Sequence, residues 1–237
     1  MMNAALIGYG YWGKNIARVL SQSTDFELHT VCDTRADSLK TVEKLYPATK
    51  RVTDYKDIGE DVGLVAIITP ADTHYPLAKY FLERGKNVLL AKPFARTLKE
   101  TEDLLNIAEK KGLTVFCDHT FVFNPAVRKL KQMMPKIGKP YFISSQRLNL
   151  GLYQPDVNVI YDLMPHDLSI ISYLFNQPLA VARTTAFKAA GLPQEDIAHS
   201  SFELKDGVKG LVTVSWLSPS KIRLMQIVGS EGMLVYD

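Results

Sequence analysis

Ala4-Ala5-Leu6-Ile7-Gly8-Tyr9-Gly10-Tyr11-Trp12-Gly13 is the stretch on which the fold turns. Its first four residues are an apolar run of the kind that forms a buried strand. The next six fit G-x-G-x-x-G, and Trp12–Ser21 continues at helical spacing. A glycine-rich turn between a strand and a helix is the context that gives this pattern meaning. Gly8 permits the tight turn, Gly10 leaves the backbone open to a pyrophosphate, and Gly13 lets helix and strand pack closely. The helix N-terminus then offers N–H groups to phosphate. Asp33 stands 20 residues beyond Gly13, at the end of a second apolar run, Phe26–Cys32. A carboxylate there accepts hydrogen bonds from ribose hydroxyls and repels a 2′-phosphate, which favours NAD over NADP. Arg35, two residues on, softens that preference. The bare pattern also suits a tight turn in a sheet that binds something else; strand, helix and acid together favour the dinucleotide.

Outward from this turn, strand and helix patterns alternate. Ala36–Leu45 reads as a helix, Arg51–Thr53 as a short strand and Leu64–Ile68 as a buried strand. Helices follow at Thr73–Arg84 and Thr97–Lys111, with strands at Asn87–Leu90 and Thr114–Cys117. Thr97-Leu98-Lys99-Glu100 is a capping box, and Gly112 suits the residue after the helix end. Fully apolar strands alternating with helices predict a parallel, doubly wound α/β Rossmann sheet covered on both faces. After Phe121 the pattern changes. Pro125–Met133 and Asp167–Phe175 read as helices. Tyr141–Leu150, Leu179–Lys188, Ser200–Lys205, Lys209–Leu217, Ile222–Val228 and Met233–Tyr236 read as strands, with Asp206-Gly207 as a hairpin turn. The expectation is an NAD-binding domain over 1–120, then an α+β domain over 121–237. The second has a mainly antiparallel, open-faced sheet.

Composition narrows the function. The 237 residues carry 28 Lys plus Arg and 25 Asp plus Glu, a net charge of +3, spread along the chain. That balance argues against nucleic acid as a partner. No apolar run approaches the ~20 residues of a membrane helix, and a strand begins too early to leave room for a signal peptide. The two cysteines, Cys32 and Cys117, make no disulfide framework, so a reducing, cytoplasmic setting is expected. His74, His119 and His199 have no metal-ligand spacing with them, so no metal is expected.

Two places have catalytic chemistry. Lys92 follows a strand and precedes Pro93, which puts it at the carboxyl edge of the sheet, where open α/β folds bind ligands. By position alone it reads equally as a solvated lysine. Asp162 and His166 are spaced i, i+4, in or just ahead of the first turn of a helix, with Pro165 suited to that turn. A carboxylate there fixes the imidazole's tautomer for acid–base work. His166 also reads as a capping or buried histidine, and Asp167 as a capping acid.

The glycine turn, Lys92-Pro93 and Asp162-x-x-x-His166 together resemble the glucose–fructose oxidoreductase/inositol dehydrogenase (Gfo/Idh/MocA) family, over all 237 residues. The resemblance implies a lysine near the nicotinamide at Lys92 and an aspartate and catalytic histidine at Asp162 and His166. Thr69-Pro70 and His74 match the family's loop near the nicotinamide ribose. With Gly8, Tyr9, Gly10, Tyr11, Trp12, Gly13, Asp33 and Lys92 they form the expected cofactor set. His119–Pro125, Arg147–Gly151 and Pro165–Asp167 look most like members that oxidise C3 of a UDP-linked N-acetylhexosamine or its uronate. Lys92, Asn124, Arg147, Asn149 and His166 are the candidates for binding the sugar or its phosphates. The resemblance also implies a homodimer or homotetramer formed through the second sheet. Two features depart from the family. Ala91 stands where it has glutamate, and Asp237 ends the chain in a stretch that members continue for many tens of residues, so the second domain is expected to be incomplete. These departures support an alternative: a catalytically impaired dinucleotide-binding paralogue, or a fragment acting as a binding module.

Overall fold

The computed structural model describes residues 1–150 and 157–237, the side chains of Ala180 and Val181 apart; Gly151, which closes one of the quoted motifs, lies outside them. The chain divides into two compact units, Met1–Asp118 and His119–Asp237.

The first unit alternates as its apolar runs require. It comprises β1 (Met2–Ile7), α1 (Gly13–Ser21), β2 (Phe26–Cys32), α2 (Ala36–Leu45), β3 (Lys50–Val52), β4 (Leu64–Ile67), α3 (Ala71–Glu83), β5 (Asn87–Leu90), α4 (Leu98–Lys111) and β6 (Val115–Cys117). All the strand pairs are parallel, in the order β3-β2-β1-β4-β5-β6. This is a doubly wound Rossmann sheet, and its strand order reverses between β1 and β4. Ala5, Ile7, Val65 and Ile67 face one apolar cluster; Ala4, Leu6 and Ala66 face the other. Burial on both sides is the reason the strands are apolar throughout. The capping box at the start of α4 forms in full: Thr97 accepts from the Glu100 N–H, and Glu100 accepts from the Thr97 N–H.

The second unit holds α5 (Pro125–Met133), β7 (Pro140–Leu148), α6 (Val159–Phe175), β8 (Leu179–Phe187), β9 (Ile197–Leu204), β10 (Lys209–Ser215), β11 (Ile222–Gly229) and β12 (Met233–Tyr236). Its sheet runs β12-β11-β7-β10-β9-β8. β10 and β7 are parallel and the other pairs antiparallel. The β9–β10 hairpin turns at Asp206-Gly207, where Gly207 has φ 85°. The helices bury one face of this sheet: Ile143, Val212, Val214, Met225 and Ile227 pack with Val159, Leu163, Ile170 and Ile171 of α6. The other face leaves Phe142, Leu211, Val228, Met233 and Val235 exposed.

One expectation is corrected here. α6 begins at Val159, eight residues before the predicted Asp167 start, so Asp162 is in its first turn while Pro165 and His166 are interior. Asn158 caps it, accepting from the Tyr161 N–H at 3.2 Å. An interior proline costs ~3 kcal/mol in propensity. Burial of Val159, Leu163 and Met164 extends the helix through it. Among the described residues no helix is long and apolar enough to cross a membrane.

Candidate active site

In the first unit the candidate site is made largely of backbone. β1 ends at Ile7 and the glycine turn follows at the sheet's switch point. Gly8 has φ 92°, and a Cβ there would lie 2.5 Å from the Ile68 carbonyl oxygen. A Cβ on Gly13 would lie 2.0 Å from the Gly8 carbonyl oxygen, so helix and turn touch through their main chains. Gly10 differs: a Cβ there meets no protein atom within 4 Å. Nothing in this unit requires glycine at position 10. The open space above it is what a pyrophosphate would fill, so the turn fits the dinucleotide its sequence implies.

Asp33, at the end of β2, is 8% exposed. Its Oδ2 accepts the Tyr9 N–H at 2.7 Å; its Oδ1 accepts the Arg35 N–H at 2.8 Å and lies 3.4 Å from Arg35 Nε. The carboxylate thus pins the turn to β2 and keeps lone pairs for a ribose. Tyr9, named from the sequence as a cofactor residue, turns its side chain inward. Its side chain is buried among Ala17, Leu28 and Val31, and its N–H is given to Asp33. Tyr11 is exposed, and Trp12 donates its indole N–H to Asp118 at 2.7 Å.

The loop after β4 is held by relays. The Thr73 hydroxyl donates to the Pro70 carbonyl at 2.7 Å and lies 2.6 Å from the Thr69 hydroxyl. His74, matched from the sequence to the family's loop near the nicotinamide ribose, is 1% exposed. Its Nδ1 lies 2.7 Å from the Pro93 carbonyl oxygen and its Nε2 lies 2.9 Å from that of Thr69. The ring therefore ties the Lys92-Pro93 turn, whose peptide bond is cis, to the loop after β4. Ala91 extends the sheet through its N–H to the Ile67 carbonyl. Lys92 is half-buried and close enough to Cys117 to oppose the upward push on that thiol. Burial and Asp118 still raise Cys117 to about 12, and burial with Asp33, Asp54 and Asp57 does the same for Cys32. Neither is a thiolate nucleophile near neutral pH.

In the second unit the candidate residues are side chains held by distant partners. Asp162 and His166 share one face of α6. Trp216, 3% exposed, donates its indole N–H to Asp162 Oδ2 at 2.9 Å. Phe121 meets the His166 ring edge-on, with centroids 4.9 Å apart. Arg147, named from the sequence as a candidate sugar ligand, lies buried against Asp167. It is 2% exposed, with Nε 2.6 Å from Asp167 Oδ2 and Nη2 3.2 Å from Oδ1. Ser145 donates to the same Oδ1 at 2.8 Å. Asp167 is therefore the buried counter-ion of Arg147 and not a capping acid. Asn124 caps α5, accepting from the Ala126 N–H at 2.8 Å. Asn149 is half-buried just past β7, its N–H on the Ser215 carbonyl. The sequence reading passed over Trp216, Ser145 and Arg223; no local pattern marks them, because their partners lie far away in the chain. Among the described residues no group of three or more His, Cys, Asp or Glu is placed to hold a metal ion.

Known proteins agree with this architecture. Residues 2–119 match the model of an oxidoreductase family with an NAD-binding Rossmann fold, and residues 127–235 match the GFO/IDH/MocA C-terminal domain. The UDP-N-acetylglucosamine 3-dehydrogenase of Acidithiobacillus ferrooxidans is 24% identical over 95% of this chain and 71% of its own. A scyllo-inositol 2-dehydrogenase (NADP(+)) of Bacillus subtilis is 22% identical over 85% of this chain and 60% of its own. The crystal structure of GenD2 from gentamicin A biosynthesis, in complex with NAD, superposes with a TM-score of 0.91 at 21% identity. That match covers 100% of this chain and 72% of the other. With both halves matched, the chain belongs to the GFO/IDH/MocA family of oxidoreductases, and its first unit is that family's NAD-binding Rossmann fold.

Proposed function

We propose that the protein is an NAD-dependent dehydrogenase of a sugar hydroxyl, with a nucleotide-linked sugar as the preferred substrate class. The observation that carries this reading is the open cradle over Gly10, beside a buried Asp33 that repels a 2′-phosphate. The turn from Gly8 to Gly13 and Asp33 hold the cofactor, and NAD, when bound, accepts the hydride from the sugar carbon. His166 takes the hydroxyl proton as general base. Asp162, fixed by Trp216, orients and balances the imidazole as it becomes charged. Lys92 stabilises the negative charge that develops on the substrate oxygen. Relatives named for UDP-N-acetylglucosamine and for scyllo-inositol support the substrate class.

The test is NAD reduction, followed by the absorbance of reduced nicotinamide, with UDP-N-acetylglucosamine, inositol isomers and free hexoses. Reduction by a member of this set, abolished in Lys92→Ala, is expected. Tight NAD binding with no reduction by any of them would overturn the reading. It would favour the second one, a dinucleotide-binding paralogue, to which the alanine at position 91 points.

The reading extends to assembly. Met233 and Val235 on β12, Val228 on β11, Phe142 on β7 and Leu211 on β10 make an apolar stripe on the uncovered sheet face. We propose that a second copy covers it, giving a dimer or tetramer. Sedimentation showing only a 26.6 kDa monomer at micromolar concentration would contradict this.

A further inference from the structure

β7 and β11 place Arg147 and Arg223 directly opposite each other in an antiparallel pair. Like charges opposed in this way are locally unfavourable. Both guanidiniums also lie against one ring: Arg147 Cζ is 4.4 Å and Arg223 Cζ is 5.3 Å from the Phe121 centroid. The same ring meets His166 at 4.9 Å. Among the described residues the carboxylate bonded to either arginine is that of Asp167, and it is committed to Arg147. Asp167 accepts two bonds from Arg147 and one from Ser145 and is 3% exposed. Among the described residues Arg223 has no ion pair. Among the described residues the two arginines on Phe121 share one bonded carboxylate, and the arginine without it is the exposed one. Burial, and then Arg147, push the Arg223 guanidinium below the ordinary arginine value, while Tyr236 and Asp167 partly offset this. The group remains charged at neutral pH. Local rules are broken mainly where function needs it.

We infer that Arg223 is the anion-recognising residue of the substrate site, taking a carboxylate or phosphate group carried by the sugar. This rests on the reading that His166 is the base. A guanidinium presents a planar fork that matches either anion in a bidentate arrangement. Its seat on Phe121 fixes one side of that fork, and Arg147, already paired, supports the ring without competing for the ligand. The anion of the substrate then pairs with Arg223 on the ring that also meets His166.

Calorimetry on the full chain with NAD present tests this with two matched pairs. D-glucuronate against D-glucose isolates a carboxylate, and N-acetylglucosamine 1-phosphate against N-acetylglucosamine isolates a phosphate. The charged member of one pair should bind about tenfold more tightly or better, as expected for a charge-assisted hydrogen bond; which pair shows it identifies the group. In Arg223→Gln the preference should collapse to within about twofold, and Arg223→Lys should keep part of it, with NAD affinity and melting temperature unchanged in both. No preference in the native protein, or one that survives in Arg223→Gln, overturns the proposal. NAD reduction recorded in the same samples separates the two readings. A preference lost in Arg223→Gln without reduction by any sugar sinks the dehydrogenase and leaves the anion site. Reduction with equal use of charged and neutral sugars does the reverse.

Discussion

The glycine turn after β1 and the polar cluster on α6 are built from different materials. The turn is main chain: three glycines, a helix N-terminus and backbone contacts to Cys32 and Ile68. The α6 cluster is side chains, each held from far along the sequence. Asp167 lies 20 residues from Arg147, and Asp162 lies 54 from Trp216. Backbone sites depend on residues that lack side chains and therefore leave a pattern in the sequence. Side-chain sites depend on which residues meet across a sheet, and apart from the Asp162-x-x-x-His166 spacing the partners that hold this one leave none.

The largest effect that would break this comparison is in the second unit. Arg147→Met leaves Asp167 buried with half its partners and should cost ~3–5 kcal/mol. The melting temperature should fall by on the order of 10 °C. Calorimetric melting checks it, and the double change Arg147→Met with Asp167→Leu should recover most of the loss. Retained stability in the single variant would mean the pair is not structural.

The same contrast explains what was legible. Phe26–Cys32, Ala36–Leu45 and Asn87–Leu90 have the same bounds in the sequence reading and in the structure, since hydrophobic period and turn residues act locally. The Rossmann sheet and the mainly antiparallel second sheet followed from the same signals; the family followed from a resemblance of motifs, the glycine turn, Lys92-Pro93 and Asp162-x-x-x-His166. The start of α6 did not: Pro165 looked like a helix beginning, and only burial of Val159 and Leu163 against a distant sheet carries the helix through it. Arg147 read as a candidate ligand because Arg147–Gly151 resembles a segment of the family. Its partner Asp167 is invisible until α6 lies over β7. Tyr9 read as a cofactor contact from its place in the glycine turn, and His74 from a segment that resembles the family's. The structure buries both, and they act by holding loops.

A sharper probe follows in Trp216→Phe, which keeps the ring and removes the donor to Asp162. A hydrogen bond to a charged group is worth ~1.5–3 kcal/mol. If Asp162 orients His166, turnover should fall by about tenfold or more, with KM little changed, in steady-state kinetics. A rise in KM alone would make Trp216 a packing residue.

The smallest effect on the fold belongs to Gly10→Ala. With no protein atom within 4 Å of the added Cβ, stability should hold within ~1 kcal/mol. NAD affinity should drop about tenfold by calorimetry, because the methyl fills the cradle. Unchanged affinity would mean the pyrophosphate does not lie over Gly10.

The division of labour itself is tested most directly by His166→Ala, with NAD affinity and single-turnover NAD reduction measured on one preparation, using whichever sugar the native enzyme oxidises. The account predicts NAD affinity within about twofold of native and a turnover rate lowered ~10²–10⁴-fold. A near-native rate would remove His166 from the chemistry, and a matching collapse of NAD affinity would show that the two regions do not work as separate parts.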